Sequence, residues 1–122
     1  MSDQIRLLFV DDEEPLRVLV KNQLTLEGLH VDTADDGDTA VEELNKNKFD
    51  IVLLDIRMPR MNGVEVLKFM KRQKSPTRVI MLTAVDDLTV AIEAVKNGAN
   101  DYLTKPYDID NLMACIRRVL AK

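Results

Sequence analysis

Ile51-Val52-Leu53-Leu54-Asp55-Ile56-Arg57-Met58-Pro59 is the stretch on which the fold turns. Four apolar residues in a row, with no alternation, describe a strand buried on both faces, as in a parallel sheet. The acid that ends it, Asp55, either caps the following loop or has a chemical role. Ile5 to Val10 and Val79 to Leu82 repeat the near-continuous apolar pattern. His30 to Ala34, after Gly28, and Asp101 to Thr104 are weaker strand candidates.

Amphipathic stretches fill the gaps. The first helix starts with Pro15 in a permitted first-turn position, places Leu16, Leu19, Val20 and Leu24 on one face, and stops at Gly28. The second is capped by Asp36 and buries Ala40, Val41 and Leu44. The third follows Asn62-Gly63 and buries Val66, Leu67 and Met70. The fourth is expected from about Asp86 to Asn97, burying Leu88, Ala91, Ile92 and Val95, with Gly98 as its C-cap. The fifth starts at Asp108 and buries Ile109, Leu112, Ile116 and Val119. Gly37 and Gly63 are read as turn residues that need a positive φ or close packing. Five strands, each followed by a helix, require right-handed crossovers and helices on both sheet faces. The expectation is a doubly wound α/β domain whose functional crevice lies at the carboxyl ends of the strands.

Composition narrows the function classes. A chain of 122 residues with 46% hydrophobic side chains fits one core-forming domain, taken as 1–122, and excludes a disordered tail. Seventeen basic against 21 acidic residues, a net charge of −4, argue against direct nucleic-acid binding. A single cysteine, Cys115, fits a reducing compartment. No signal peptide follows Met1-Ser2-Asp3-Gln4, and no run reaches the roughly 18 apolar residues of a membrane span, so a cytoplasmic location is expected. The last helix runs nearly to Lys122, where a domain boundary could fall. No glycine-rich nucleotide motif follows the first strand, one Cys and one His make no zinc set, and His30 is badly placed for a triad.

The strand ends carry chemistry. Asp11-Asp12-Glu13-Glu14 follows the first strand, Asp55 the third, Thr83-Ala84 the fourth and Lys105-Pro106 the fifth. Carboxylates converging in one crevice repel each other unless a cation neutralises them, and a hard divalent ion with oxygen ligands, Mg²⁺ above all, suits them. A carboxylate beside Mg²⁺ can attack a phosphoryl group to form an acyl phosphate, while Thr83 and Lys105 hold the phosphoryl oxygens.

With Asp11-Asp12, Asp55-x-x-Met58-Pro59, Thr83-Ala84 and Lys105-Pro106 in order, the chain resembles the receiver domain of two-component response regulators from Ile5 to about Leu120. The resemblance implies a flavodoxin-like five-stranded sheet of order 2-1-3-4-5. It implies that Asp55 is the phospho-acceptor for a sensor histidine kinase or phosphotransfer protein. Asp12, Asp55 and the backbone carbonyl of Arg57 would ligate Mg²⁺, and Asp11 would act through a metal-bound water. Thr83, Lys105 and the Ala84 N–H would contact the phosphoryl oxygens. A cis Lys105–Pro106 peptide and a Thr83–Tyr102 output switch are implied as well. The switch would act on the face of helix four, strand five and helix five, changing affinity for an output domain, a target protein or a second copy in a phosphorylation-dependent homodimer. Arg57 and Val85, two residues after Asp55 and Thr83, imply slow self-dephosphorylation: Val85 cannot orient water, and Arg57 would cover the phosphoryl group. The run Ala91 to Pro106 resembles receivers of the nitrogen-regulator type, which precede an ATPase module.

Plainer readings stand beside these. Asp11 to Glu14 is also a solvated helix start favoured by the helix dipole, Thr83 a helix N-cap, and Lys105 a surface lysine. Tyr102 is also a half-buried strand aromatic, and His30 a strand-edge residue. Met113 and Tyr107 are expected as exposed apolar groups near the output face, in a partner contact or in ordinary packing. Lys68, Lys71, Arg72 and Lys74 form the solvated side of helix three. Two other functions compete with the signalling switch. A receiver-fold interaction domain no longer using phosphate would usually lack one of the acids, the Thr or the Lys. An Asp-nucleophile phosphohydrolase of the haloacid-dehalogenase type needs an Asp-x-Asp and room for a cap.

Overall fold

Side chains on a strand alternate between faces, so a sheet covered on both sides needs apolar residues at every position. In the computed structural model, which describes residues 4–121, the three central strands meet that requirement over residues 7–10, 51–54 and 79–82, whereas the two edge strands carry polar residues. The elements run β1 (Arg6–Val10), α1 (Glu14–Leu26), β2 (His30–Ala34), α2 (Gly37–Lys46), β3 (Ile51–Asp55), α3 (Gly63–Arg72) and β4 (Arg78–Thr83). A 3₁₀ turn (Val85–Asp87), α4 (Leu88–Lys96), β5 (Asp101–Thr104) and α5 (Ile109–Leu120) complete the chain. All strand pairs are parallel, in the order β2-β1-β3-β4-β5. The expected doubly wound sheet is observed. Met1 to Asp3, on which the expected lack of a signal peptide rests, and Lys122, where a boundary could fall, lie outside the described residues.

Leu7, Phe9, Ile51, Leu53, Ile80 and Leu82 face α1 and α5, while Leu8, Val10, Val52, Leu54, Val79 and Met81 face α2, α3 and α4. Each of these twelve is fully buried, and burying one large aliphatic side chain contributes about 1.5–3 kcal/mol. The helix starts use side-chain oxygens as expected. Asp36 accepts from the Thr39 N–H at 2.8 Å and Asp108 from the Asn111 N–H at 2.7 Å. Asn62 and Glu65 form a reciprocal capping box at α3. Gly28 and Gly98 terminate their helices with φ of 94° and 121°. The Lys105–Pro106 peptide is cis.

Several expectations about side-chain placement are corrected. Leu19 is 53% exposed, because the sheet is met by the i, i+4 row through Leu16, Val20 and Leu24, and Leu19 lies round the helix from it. Ile92 is 40% exposed for a similar reason. The buried residues of α4 are Ala91 and Ala94, with Leu88 and Val95 only partly covered. Helix four does not start at Asp86, since the 3₁₀ turn comes first and α4 begins at Leu88. Met113 is buried, because α5 packs against both β5 and α1, which covers a wide arc containing Leu112, Met113, Cys115, Ile116 and Val119. Tyr107 is half-buried rather than exposed.

Cys115 lies inside that arc. Burial, followed by the nearby charge of Asp101, pushes its thiol up to about 11. The thiolate is the reactive form. Iodoacetamide at pH 8 is therefore expected to alkylate the native protein at least about 100-fold more slowly than the urea-unfolded chain. Intact-mass time courses check this.

Candidate functional site

Register brings the strand ends together. Val10 pairs with Leu54, so Asp11 and Asp55 are the next residues on adjacent strands. Asp55 pairs with Leu82 and Thr83 with Thr104, which places Thr83 and Lys105 one step further along the same edge. Asp11, Asp12 and Asp55 each offer a carboxylate oxygen within 4.8 Å of the others. Asp11 is completely buried, Asp55 nearly so, and Asp12 is exposed.

Lys105 ties the two buried acids together. Its Nζ lies 2.9 Å from Asp11 Oδ2 and 3.3 Å from Asp55 Oδ1. Burial opposes the lysine's charge, yet its hydrogen bond to Asp11 and the charges of Asp55 and Asp11 outweigh that and raise its pKa. The other Asp11 oxygen accepts from the Glu13 N–H at 2.9 Å. For Asp55, burial dominates and the Asp11 charge adds to it, so its carboxyl is pushed up to about 6 despite Lys105. One ammonium against three carboxylates leaves negative charge uncompensated. The donor set is all oxygen and partly open, which fits a hard divalent cation.

Thr83 is fully buried at the end of β4, and its hydroxyl donates to the Ala84 carbonyl at 2.9 Å. It is not a helix cap, since α4 starts five residues later. Lys105 is likewise no free surface lysine. Tyr102 is half-buried against the cluster on the α2–α4 side of the sheet. Val85 is 70% exposed.

Arg57 pairs with Asp87 rather than covering Asp55. Its guanidinium makes a side-by-side pair with Asp87, at 2.7 Å through Nε and 2.5 Å through Nη2. A cavity of about 520 Å³ opens beside this pair, its walls including Asp12, Arg57, Asn62, Asp87 and Val90. Sequence reasoning missed Asp87, because nothing local separates it from the exposed Asp86. It also missed the hydroxyl of Tyr107, which is buried without a hydrogen-bond partner among the described residues. Burial first, and then the charges of Asp11, Asp55 and Glu13, raise the pKa of that phenol. Arg60 pairs with Asp36 at the cap of α2. His30 is exposed on β2, away from the cluster.

The chain is similar to known proteins in sequence and in fold. The family model described as the response regulator receiver domain matches residues 7–117. The regulatory protein AtoC of Escherichia coli is 39% identical over 115 residues, covering 94% of this chain and 25% of AtoC. The DNA-binding transcriptional regulator NtrC of Proteus hauseri is 39% identical over 111 residues, covering 91% of this chain and 24% of NtrC. The chain thus spans about a quarter of the length of these relatives. Among solved structures, the receiver domain of the Francisella response regulator 1452 superposes with a TM-score of 0.89 at 32% identity, covering 97% of this chain and 98% of that one. Among the described residues, no helix is long and apolar enough to cross a membrane. A receiver domain is a signalling module rather than an enzyme acting on a separate substrate. Matched along almost its whole length in sequence and in fold, the chain belongs to the response regulator receiver domain family of two-component systems.

Proposed function

We propose that residues 1–122 act as one receiver unit in which Asp55 accepts a phosphoryl group from the phosphohistidine of a sensor histidine kinase or phosphotransfer protein. The observation that carries this reading is the meeting of Asp11, Asp12 and Asp55 within 4.8 Å, with the Lys105 ammonium against Asp11 and Asp55. Asp12, Asp55 and the Arg57 backbone carbonyl would hold Mg²⁺ directly, and Asp11 would hold it through water. Bound there, the ion supplies positive charge that offsets the carboxylates and the incoming phosphoryl oxygens.

An Asp55 oxygen attacks phosphorus, the P–N bond to the donor imidazole breaks, and the carboxylate becomes an acyl phosphate. With its pKa near 6, Asp55 is mostly ionised, and so nucleophilic, at neutral pH. Lys105 moves from pairing the carboxylates to pairing a phosphoryl oxygen, and the Ala84 N–H adds a donor. The Thr83 hydroxyl leaves the Ala84 carbonyl and donates to a phosphoryl oxygen instead. Its withdrawal frees space for Tyr102 to turn inward, which alters the α4–β5–α5 face toward an output domain, a target protein or a second copy. Slow self-dephosphorylation follows from Val85, whose side chain cannot hydrogen-bond an attacking water; with Arg57 held on Asp87, shielding by Arg57 contributes nothing in this conformation. The module acts in the cytoplasm, without contacting nucleic acid itself.

Intact mass after incubation with acetyl phosphate tests the reading. One added phosphoryl group is expected with Mg²⁺ and none with EDTA or in Asp55→Ala. Failure of the wild type both to take up phosphate and to bind beryllofluoride would sink it in favour of an interaction domain without phosphate control.

A further inference from the structure

We infer that Asp87 is a positioning residue that holds the Arg57 guanidinium away from Asp11, Asp12 and Asp55, keeping those carboxylates open to a cation. The inference rests on the reading of the three carboxylates as a divalent-cation site.

Arg57 stands two residues after Asp55, and its side chain is 77% exposed. Nothing steric confines it. Among the described residues its guanidinium has no hydrogen-bond partner other than the two Asp87 oxygens, at 2.7 and 2.5 Å. Asp87 is well placed to restrain it. The Asp87 side chain is only 4% exposed, sits in the 3₁₀ turn before α4, and meets the guanidinium fork with both oxygens. The neighbouring Asp86 adds a weaker, longer-range attraction to the same group.

Arg57, Asp87 and Asp12 line the same cavity. Three carboxylates, of which only Asp11 and Asp55 pair with the Lys105 ammonium, exert a net pull on any mobile cation nearby. Asp12 is the exposed member of the three and has no ion-pair partner among the described residues. A guanidinium released from Asp87 stays on the wall of the cavity that Asp12 also lines, and there it competes with a metal ion for the Asp12 oxygens. Asp87 removes that competitor by offering it a better-matched partner.

The test is an epistasis measurement with the metal alone. Free Mn²⁺ is counted by electron paramagnetic resonance, with Mg²⁺ competition, for wild type, Asp87→Ala, Asp87→Asn, Arg57→Ala and the double variant Arg57→Ala/Asp87→Ala. Asp87→Ala is expected to weaken Mn²⁺ binding by about five- to tenfold, from one added positive charge at the site. Asp87→Asn keeps the shape but not the charge and should weaken it in the same direction. Removing Arg57 as well should restore affinity to within about twofold of Arg57→Ala, because the competitor has gone.

A purely structural role for Asp87 at the start of α4 predicts the opposite, a double variant as weak as Asp87→Ala. That result, or unchanged binding in both Asp87 variants, overturns the inference while leaving the metal site intact. Absence of Mn²⁺ binding in the wild type is a different outcome, and it overturns the cation site together with this inference. Far-UV circular dichroism establishes that each variant is folded, and Asp87→Asn carries the test if Asp87→Ala is not.

Discussion

Replacing Gly63 by alanine lowers the thermal midpoint by about 10 °C or more, corresponding to about 3 kcal/mol in a domain of this size. A Cβ on Gly63 would sit 2.3 Å from the carbonyl oxygen of Asp55, 3.0 Å from its carbonyl carbon and 3.2 Å from the Cα of Ile56. All three are backbone atoms, so no side chain can swing aside. Relief requires shifting the start of α3, which the Asn62–Glu65 capping box and the Gly63 N–H bond to the Ile56 carbonyl hold in place. Alanine's helix propensity returns about 1 kcal/mol, too little to offset the overlap. Because the collision is with the backbone of Asp55, a member of the proposed cation site, metal affinity should fall along with stability. Gly28→Ala is the control, since its φ is +94° but nothing lies within 4 Å, so only the backbone cost of about 1–2 kcal/mol applies. Melting curves in EDTA separate the two. A Gly63→Ala midpoint within about 2 °C of wild type would refute the close-approach argument.

Asp55→Asn is expected to stabilise the metal-free protein at pH 7 while abolishing phosphoryl uptake. Burial and the charge of Asp11 raise the Asp55 pKa from 3.8 to about 6. Between those values the folded state keeps a proton that the unfolded chain has released, so stability falls as pH rises through the window. Above about pH 6 the whole penalty is present. A shift of that size corresponds to about 3 kcal/mol, and screening at the open mouth of the crevice reduces it to about 1–2 kcal/mol. Asparagine carries no such penalty, and Lys105 keeps its 2.9 Å partner Asp11. The midpoint in EDTA should therefore rise by about 3–8 °C at pH 7 and by much less at pH 4. Added Mg²⁺ should stabilise the wild type more than the variant, because the variant lacks one of the three clustered carboxylates of the proposed cation site. A variant that melts below wild type at pH 7 would show that the Lys105–Asp55 contact outweighs the burial of charge.

Legibility differs from element to element for identifiable reasons. The three apolar runs, Ile5 to Val10, Ile51 to Leu54 and Val79 to Leu82, are readable because double-sided burial leaves no polar position in them except Arg6 at the start of β1. The caps Asp36 and Asp108 are readable because capping is a local exchange between a side chain and the N–H three residues on; the Asn62 cap follows the same rule, although the sequence marks it only as a residue before the helix. The facing of α1 and α4 is less so. Helical periodicity defines a broad stripe, and only the position of the sheet decides that Val20 and Ala94 are covered while Leu19 and Ile92 are not. The start of α4 is misread because the 3₁₀ turn before it has the composition of a helix.

What the amino-acid order alone determines is the set of strands, their succession with helices, and the residues delivered to the carboxyl ends: Asp11, Asp12, Asp55, Thr83 and Lys105. That information is local, since hydrophobic run length and the residue that ends each run are written in consecutive positions. What only the tertiary structure decided is pairing across long separations. Lys105 bridges Asp11 and Asp55, Arg57 turns to Asp87 rather than to Asp55, and Met113 and the Tyr107 hydroxyl are buried. Those outcomes depend on parallel register and on which charge has the better-matched partner within reach, and neither is encoded in any short stretch of the chain.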